Sequence, residues 1–370
     1  MADKYIKARC AKHDKWFALE LDSVGGKLQV VNFVGMTKEE SQRIQTEVPG
    51  TSFRIAPTLR RCCKCGTDKV GTCSHTHKLT ASGKSMCEVP YSYQCLFCEH
   101  LRISSAKVNA DRFTEWVGIS NIPGATKDRF GNPQGSQFDL AKDGGFKGSK
   151  IVFLCFCHDS NVLPGVKQSI AALAKKGFEV DLLTSVTPGD LKEKLRKACQ
   201  LWVMSDSTGH LNAAHLAVIR EYYERGGGLY IMGDNDPYYV DANMITSALV
   251  GTTMSGNTLG DKVIGVQSAQ GRPGIIDGHP ITTGIVNLYE GITIATVKTD
   301  GRRVKPLVMS SDRNVVTAYV DDGKHRMLID GGFTRLYHKW NTAGTDRFVV
   351  NCAAWLASEC DGEGAEQKFT

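Results

Sequence analysis

The sequence predicts an α/β domain with a parallel sheet, preceded by a small β-rich module. From Lys150 onward, short strands that are apolar on both faces alternate with amphipathic helices, which is typical of βαβ units around a parallel sheet. Before residue 105, short strands of alternating polarity are separated by glycines, and eight of the 13 cysteines fall in this part. A chain of 370 residues has room for two such domains.

Composition shifts along the chain predict its domain boundaries. The β-rich module has its clearest strands at 16–21 and 28–33. The segment after it loses apolar periodicity and is rich in Gly, Asn and Pro, which favours a linker wrapped on the surface. The expected boundaries are 1–105 for the module, 106–149 for the linker, 150–358 for the α/β domain and 359–370 for a tail.

The elements of the α/β domain follow from the position of the apolar residues. The predicted strands are 151–157, 178–184, 201–205 and 229–232, and the helices between them are 162–176, 188–198 and 212–225. Later β-like runs occupy 306–309, 315–320 and 325–329, and a closing helix is expected over 345–357. The order of strand, helix and strand predicts right-handed parallel connections.

The basic excess of the first module suggests a nucleic-acid partner as a further hypothesis, but the arrangement of its basic and aromatic residues does not favour one. Sixteen Lys/Arg and ten Asp/Glu lie in residues 1–105, which therefore carry the whole formal excess of +6. No Lys/Arg run there is longer than two, and aromatic residues are not interleaved with the basic ones. The sequence shows no apolar stretch of signal-peptide or membrane-spanning length, so we expect a soluble, cytoplasmic protein with no membrane association.

Two Cys-x2-Cys pairs predict a zinc site. In a reduced cytoplasm, clustered cysteines more often bind metal than form disulfides. A tight turn between paired thiols directs both sulfur atoms at one tetrahedral ion, so Cys62, Cys65, Cys95 and Cys98 are expected to form a closed four-cysteine site. Cys63 is adjacent and is an alternative to Cys62. Four protein ligands leave no open position for a hydrolytic water, so this zinc is expected to be structural.

A second, mixed zinc site is predicted from the remaining soft and imidazole ligands. Its expected ligands are Cys10, His13, Cys73 and His75, with His77 and Cys87 as further candidates. The alternative is that Cys63 and Cys87 are buried thiols and that His77 is a surface residue. We expect this module to need its metal ions in order to fold, because it is small and has few apolar residues with which to form a core.

The ligand order in this module resembles a known family. The motifs that carry the resemblance are Cys10-x2-His13, Trp16-Phe17, Cys62-x2-Cys65-Gly66, Val70-Gly71-Thr72-Cys73-Ser74-His75 and Cys95-Leu96-Phe97-Cys98. They look like the C-terminal metal-binding domain of TerY-type proteins of bacterial tellurium-resistance systems. The resemblance implies a stress-response or defence setting with von Willebrand A-type proteins, kinases or phosphatases as partners. This chain lacks the von Willebrand A domain of that family, so the choice of partner is not carried over.

Four segments in the second part of the chain carry another resemblance, namely 224–237, 277–281, 289–293 and 348–356, the first of which reads helix, glycine turn, buried strand and sharp loop. On these segments, residues from about 150 to 358 resemble class I glutamine amidotransferases of the ThuA and GIFT-type branch, which implies a flavodoxin-like fold. The family's nucleophile is a cysteine at the centre of a Gly-x-Cys-x-Gly turn, activated by a His-x-Glu pair.

The nucleophile is missing from this sequence. When the motif is laid on Gly233-Asp234-Asn235-Asp236-Pro237, the cysteine position holds Asn235, and an amide is not activated by a neighbouring base. The region where His-x-Glu is expected reads Asp330-Gly331-Gly332 instead. Glutamine hydrolysis by the usual triad is therefore not expected.

Polar residues at the ends of strands remain candidates for a ligand site or a catalytic site. Asp234, Asn235 and Asp236 lie where open α/β sheets bind substrates, and their oxygens suit a polyol or a hard cation. The alternative is that Asp234 and Asn235 close the turn by Asx hydrogen bonds, while Asp241 and Asn243 cap the next helix.

A second group of candidates follows the first and third strands of the domain. Cys157 and His158 can pair only if the chain turns there, because adjacent strand residues face opposite sides. A buried cysteine beside a loop histidine is the other interpretation. His210, after Ser205-Asp206-Ser207-Thr208-Gly209, is expected on the same rim.

Together these observations support two functional hypotheses. The first is a zinc-binding, non-catalytic protein whose amidotransferase-like domain binds a ligand or a partner protein. The second is a hydrolase or amidase that uses Cys157, with His158, or the 234–236 loop with Asp234 and Asp236 as its catalytic carboxylates.

Overall fold

The computed structural model describes two separate parts of the chain. The described residues are 5–10, 15–24, 27–36 and 54–55, followed by 112–114, 116–157, 161–322 and 325–357. The chain divides into two compact units, Met1–Asp111 and Arg112–Thr370. Residues 106–149 were expected to form a linker, but from Arg112 onward this segment belongs to the second unit.

The described part of the first unit is a small sheet. Its strands are β1 (Tyr5–Cys10), β2 (Lys15–Val24), β3 (Lys27–Met36) and β4 (Arg54–Ile55), which lie in this order. β1, β2 and β3 pair antiparallel, and β4 runs parallel to β3. The two strands expected at 16–21 and 28–33 are thereby confirmed, and each is longer than the sequence pattern indicated.

The second unit is built around an eight-stranded sheet. The strands, in chain order, are β5 (Lys150–Cys155), β6 (Glu179–Leu183), β7 (Gln200–Met204), β8 (Gly228–Met232), β11 (Gly274–Ile275), β14 (Lys305–Met309), β15 (Val315–Asp321) and β16 (Arg326–Asp330). Across the sheet the order is β11-β14-β15-β16-β8-β7-β5-β6. The five strands from β16 to β6 are parallel, and β15, β14 and β11 continue the sheet antiparallel. The α/β class with a mostly parallel sheet is therefore confirmed.

Helices cover the sheet between the parallel strands. They are α1 (Val162–Lys175), α2 (Pro188–Arg196), α3 (Ala213–Glu224), α4 (Val240–Val250), the short α5 (Thr334–Tyr337) and α6 (Thr345–Leu356). α2 begins after Thr187, whose hydroxyl accepts the Asp190 N–H, and Pro188 follows as the first helical residue, where its missing N–H costs nothing. α3 begins with a capping box between Asn212 and His215.

The order of the parallel strands defines where a ligand crevice lies. Numbered from the start of the domain, β6, β5, β7, β8 and β16 have the order 2-1-3-4-5, which is the flavodoxin-like order. The chain leaves β5 towards one edge of the sheet and later returns to place β7 on the other side of β5. In folds of this kind ligands bind outside the carboxyl ends of the strands at this switch point.

A row of aromatic residues packs one face of the parallel strands. Phe153, Trp202 and Tyr230 are register partners on β5, β7 and β8, and each is fully buried. Their ring centroids are 5.6 Å and 4.9 Å apart in edge-to-face geometry, which is a favourable aromatic arrangement. Gln200 accepts the Trp202 indole N–H and donates to the Ala353 carbonyl of α6, so the buried polar groups beside the row are paired.

Two short two-stranded sheets accompany the main one. β9 (Met254–Leu259) pairs with β13 (Thr293–Val297), and β10 (Val263–Gly265) pairs with β12 (Asn287–Tyr289), both antiparallel. We refer to β9 and β13 as the ribbon. Asn243 of α4 holds it, since its carboxamide accepts the Met254 N–H at 2.6 Å and donates to the Met254 carbonyl at 2.9 Å.

The segment 112–149 is fastened to the α/β core by buried polar contacts. Asp139 accepts hydrogen bonds from the Arg347 Nε at 2.7 Å and pairs with Lys176 Nζ at 2.7 Å. Asn351 of α6 accepts the Leu140 N–H at 2.7 Å. Phe146 stacks on Phe178 with ring centroids 4.6 Å apart. This segment is therefore part of the core rather than a spacer.

None of the helices within the described ranges has the length and apolar content that a bilayer crossing requires.

Candidate functional site

The turn after β8 contains Asn235, the residue that the sequence resemblance places at a nucleophile position. Asp234 is the second residue after β8 and is only 1% exposed. Its Oδ1 accepts the Asn235 N–H at 2.8 Å, and its Oδ2 accepts the Thr334 N–H at 2.9 Å. Burial raises the pKa of this carboxyl to about 7. Asp234 therefore joins the turn after β8 to the turn after β16, and it does not face solvent.

Asn235 uses both ends of its carboxamide inside the same turn. Its Oδ1 accepts a hydrogen bond from Thr293 Oγ1 of the ribbon at 2.7 Å, and its Nδ2 donates to the Asp236 carbonyl at 3.0 Å. Thr293 Oγ1 also lies 3.4 Å from Asp234 Oδ1. The residue at the nucleophile position is therefore a closing element of the turn.

The ribbon covers this turn. The Asp236 N–H donates to the Gly256 carbonyl of β9 at 3.0 Å, and the Ala295 N–H of β13 donates to the Gly331 carbonyl at 2.8 Å. A Cβ at Gly233 would lie 2.7 Å from Met254 Sδ, so only glycine fits beneath the ribbon at this point. The strand ends where an amidotransferase nucleophile would stand are thus packed against β9 and β13.

Asp236 is the exposed carboxylate of the turn. Its Oδ1 accepts a hydrogen bond from the Tyr239 hydroxyl at 2.9 Å. Burial and this bond to a carboxylate raise the pKa of Tyr239. Of the three residues at 234–236, the structure leaves only Asp236 with an exposed side chain.

Asp241 and Asn243 do not cap α4, and this part of the sequence interpretation was wrong. The cap is Tyr239, and the helical N–H groups of Asp241 and Ala242 donate to Ser205 Oγ of the loop after β7. Asn243 binds the ribbon instead, as described above. The Asx interpretation of Asp234 is in turn consistent with its bond to the Asn235 N–H.

Asp241 holds the loop after β7. Its carboxylate accepts the N–H groups of His210 at 2.9 Å and Leu211 at 2.8 Å, and it is 1% exposed. Burial raises its pKa. The buried carboxylate of Asp241 therefore holds the backbone of the loop at His210 and Leu211.

The His210 ring is fixed as well. It stacks on Phe156, the residue after β5, with ring centroids 4.7 Å apart and planes 6° from parallel. Its Nε2 lies 3.3 Å from Asp206 Oδ2 and 3.3 Å from Thr208 Oγ1. The His210 side chain is 30% exposed and that of Asp206 is 24% exposed. These residues stand at the carboxyl ends of β5 and β7, which is the switch point of the sheet.

The cysteines at the end of β5 are buried. Cys157 is 5% exposed, and the Cys155 thiol donates to the Cys157 carbonyl at 3.1 Å. Burial raises the pKa of Cys155 to about 12, so this thiol is not activated. His158, the proposed partner of Cys157, lies outside the described residues.

The turn after β16 is supported by a buried ion pair. Arg335 pairs with Asp330, and both side chains are fully buried. Asp330 also accepts the Tyr230 hydroxyl at 2.8 Å, and Arg335 donates to the Tyr289 carbonyl at 3.2 Å. This network sets the turn in which the Thr334 N–H reaches Asp234.

The zinc candidates fall almost wholly outside the described residues. Cys10 is the last residue of β1, opposite Lys15. The other predicted ligands lie beyond the described ranges, namely His13, Cys62, Cys63, Cys65, Cys73, His75, His77, Cys87, Cys95 and Cys98. Within the described residues there is no group of three or more His, Cys, Asp or Glu side chains arranged to hold a metal ion.

A cavity of about 330 Å³ lies on another side of the unit, between the 128–139 segment, the end of α1 and the start of α6. Its buried charges are Asp139, Lys176 and Arg347, which pair with one another. Arg347 also donates to the carbonyls of Gly284 and Gly135. These three charged groups pair with one another or with backbone carbonyls and hold the 112–149 segment in place, so none of the three is available to bind a ligand in the cavity.

Local sequence patterns did not identify the residues that hold the candidate site side chains in position. Asp206, Phe156, Thr293 and Thr334 were not singled out, although each contacts a candidate directly. Asp206 carries a local signal, since it stands four residues before His210 in one loop. Thr293 and Thr334 carry none, because their contacts join positions 58 and 100 residues apart.

Comparisons with known proteins add structural likenesses only. No family model matches the chain, and no curated protein matches it. Similar solved structures are a ThuA-like protein from Bacteroides uniformis ATCC 8492 (14% identity, TM-score 0.41, 57% of this chain and 91% of that chain), an exo-β-1,4-mannosidase from Opitutaceae bacterium strain TAV5 (11%, 0.34, 58% and 36%) and a GMP synthase subunit from Thermoplasma acidophilum (11%, 0.34, 56% and 95%). At these TM-scores the likenesses assign no activity.

Proposed function

We propose that this chain is a zinc-binding protein whose second unit binds a ligand or a partner protein and does not hydrolyse glutamine. The observation that carries the proposal is the hydrogen bonding of Asn235. Its carboxamide stands at the nucleophile position and is bound by Thr293 Oγ1 and the Asp236 carbonyl. A side chain used in this way, and without a thiol, offers no group to attack an amide.

The surroundings of Asn235 support the same proposal. Asp234 is buried beneath it, and β9 and β13 cover the turn. The turn after β16 supplies glycines and a backbone N–H for Asp234, with Asp330 committed to Arg335. Among the described residues of these two turns, the one accessible carboxylate next to the nucleophile position is therefore that of Asp236.

The burial of the other candidates argues against a hydrolase. Cys157 is 5% exposed, and Asp234 is 1% exposed, so neither reaches a substrate in this conformation. Asp236 is accessible but accepts a hydrogen bond from Tyr239, and the second carboxylate of the turn, Asp234, is buried. General acid–base chemistry needs a group within reach of the proton that it transfers.

For the first unit the proposal extends the resemblance to the TerY-type metal-binding domain. We propose a four-cysteine zinc site and a mixed Cys/His site that stabilise a module for protein assembly in the cytoplasm. Von Willebrand A-type proteins, kinases or phosphatases of a bacterial tellurium-resistance or defence system are the proposed partners.

An amidase assay tests the proposal for the second unit. Purified full-length protein is incubated with glutamine, simple amides and sugars, and ammonia, glutamate and sugar products are measured beside Cys157→Ala and Asp236→Ala. Both substitutions lie outside the buried contacts of Asp234, and their melting curves verify folding. We expect no turnover by any of the three proteins. Turnover by the unmodified chain that disappears in either variant would refute a binding-only domain.

A further inference from the structure

We propose that His210, oriented by Asp206, is the proton-accepting group of a ligand site in the crevice between the carboxyl ends of β5 and β7. The proposal rests on the proposed function, since it places the ligand site of the second unit. It concerns a different strand end from the covered nucleophile position after β8.

The strand order places a crevice above the ends of β5 and β7. β5 and β7 are neighbours in the sheet, and the chain leaves β5 towards β6 on the other side. Helical connections on opposite sides of the switch point diverge, and this divergence opens a crevice above the strand ends. Phe156 and His210 are the residues that follow these two strands and touch each other.

His210 is held by contacts to both its backbone and its ring. Its backbone N–H is held by the buried carboxylate of Asp241, its ring lies flat on Phe156, and its Nε2 faces Asp206 and Thr208. A solvated surface histidine gains little from such restraint, because ordering an exposed side chain costs conformational entropy. Restraint of a partly exposed side chain by buried groups, here Asp241 and Phe156, is the arrangement that ligand and catalytic sites require.

The contact with Asp206 determines which ring nitrogen of neutral His210 carries the proton. An ionised carboxylate only accepts hydrogen bonds, so the nitrogen that faces Asp206 carries the proton. Nε2–H therefore donates to Asp206 Oδ2, and Nδ1 keeps its lone pair. Within the described ranges Nδ1 has no hydrogen-bond partner, and the side chain is 30% exposed.

The chemistry of Nδ1 defines the class of ligand. An imidazole lone pair accepts a hydrogen bond or a proton, so the site suits a small molecule that presents a hydroxyl or ammonium donor. Asp206 stabilises the imidazolium that forms if the proton is transferred, in the way that a carboxylate supports histidine in catalytic dyads. Asp206 is thus a positioning residue and His210 is the group that contacts the ligand.

Reaction of the full-length chain with diethyl pyrocarbonate tests the reactivity of Nδ1. The imidazole lone pair attacks one carbonyl, ethyl carbonate leaves and decomposes to CO2 and ethanol, and the ring proton passes to Asp206 or water. Peptide mass spectrometry gives the rate for each histidine. His325 is the matched control, because it is also paired with an aspartate but through Nδ1, and its side chain is similarly exposed at 24%. We expect His210 to react about tenfold faster than His325 and Asp206→Asn to remove most of this difference.

Nitrogen NMR of histidine-labelled protein separates an oriented proton acceptor from a structural histidine. We expect His210 in the unmodified chain to be the Nε2–H tautomer, and a mixture of tautomers in Asp206→Asn with an unchanged melting temperature. An Nδ1–H tautomer, a His210 rate no greater than that of His325, or a rate unaffected by Asp206→Asn would each overturn the inference. Because these readouts do not involve glutamine, such a failure leaves the proposed loss of amidase chemistry untouched.

Discussion

Asp234 and Thr334 are 100 residues apart in the chain, and Asp234 Oδ2 accepts the Thr334 N–H at 2.9 Å. The same carboxyl accepts the Asn235 N–H, so one buried side chain sets the turns after β8 and after β16. The two turns are therefore bound to each other.

The stability of the chain should depend on pH through Asp234. Burial raises its pKa from 3.8 to about 7. Between pH 3.8 and about 7, the carboxyl of Asp234 is protonated in the folded state and ionised in the unfolded state. The stabilisation that is fully present below pH 3.8 is therefore lost as the pH rises to about 7. Relative to Asp234→Asn, which cannot titrate, the free energy of unfolding should fall by up to about 1.4 kcal/mol per pH unit in this window.

Urea unfolding at closely spaced pH values measures this difference. Asp236→Asn is the matched control for the loss of a carboxylate, because Asp236 is the exposed carboxylate of the same turn. Parallel curves for Asp234→Asn and the unmodified chain would contradict the prediction, because they would show that folding does not raise the pKa of Asp234.

The 112–149 segment should be strongly coupled to the core through Asp139. This carboxylate pairs with Lys176 and Arg347, whose side chains are 2% and 9% exposed. Asp139→Asn removes the anion that these two buried cations share, and because Lys176 keeps its pair with Asp143, the cost in the free energy of unfolding should be about 3 kcal/mol. Glu193→Gln, which breaks the exposed Arg196–Glu193 pair, should cost less than about 1 kcal/mol.

Hydrogen exchange adds a local readout to this prediction. The Leu140 amide, which donates to Asn351, should lose protection in Asp139→Asn. If Asp139→Asn changed stability no more than Glu193→Gln, the segment would be a surface attachment, as the sequence first indicated.

Local patterns in the sequence predicted the parallel part of the sheet well. Runs such as 201–205 and 229–232 are apolar on both faces because both faces of a parallel sheet are covered, and β7 and β8 lie within a residue or two of these positions. The ribbon was not predicted. The β9 sequence Met-Ser-Gly-Asn-Thr-Leu has little strand propensity, and its pairing with β13 depends on contacts 34–43 residues away that no local pattern reveals.

The candidate site was only partly predictable for a related reason. His210 and the residues at 234–236 were found because they follow strands, and parallel strands end at one edge of the sheet. Which of them are accessible depends on long-range contacts, such as those of Thr293 with Asn235 and of Asp241 with His210. Burial of Asp234 and exposure of Asp236, two positions apart, could not be read from their shared residue type.

The zinc prediction has a direct stoichiometric consequence. Protein purified without chelator should contain about two zinc ions per chain, and Cys95→Ser should lower the content by about one. Cys352→Ser is a control outside the predicted ligands, because Cys352 is buried in α6 of the second unit. Elemental analysis of the three proteins gives the answer, and a content well under one zinc in the unmodified chain would contradict both sites.

The central claim is that the turn after β8 is closed around residue 235 and does not activate a nucleophile. The most direct measurement is the pH dependence of iodoacetamide alkylation at Asn235→Cys, followed by peptide mass spectrometry and paired with a glutaminase assay of the same protein. We predict a thiol pKa at or above about 8.5, the ordinary value, and no glutamate release. A thiol pKa below about 7 together with glutamine turnover would show a competent nucleophile position and contradict the account.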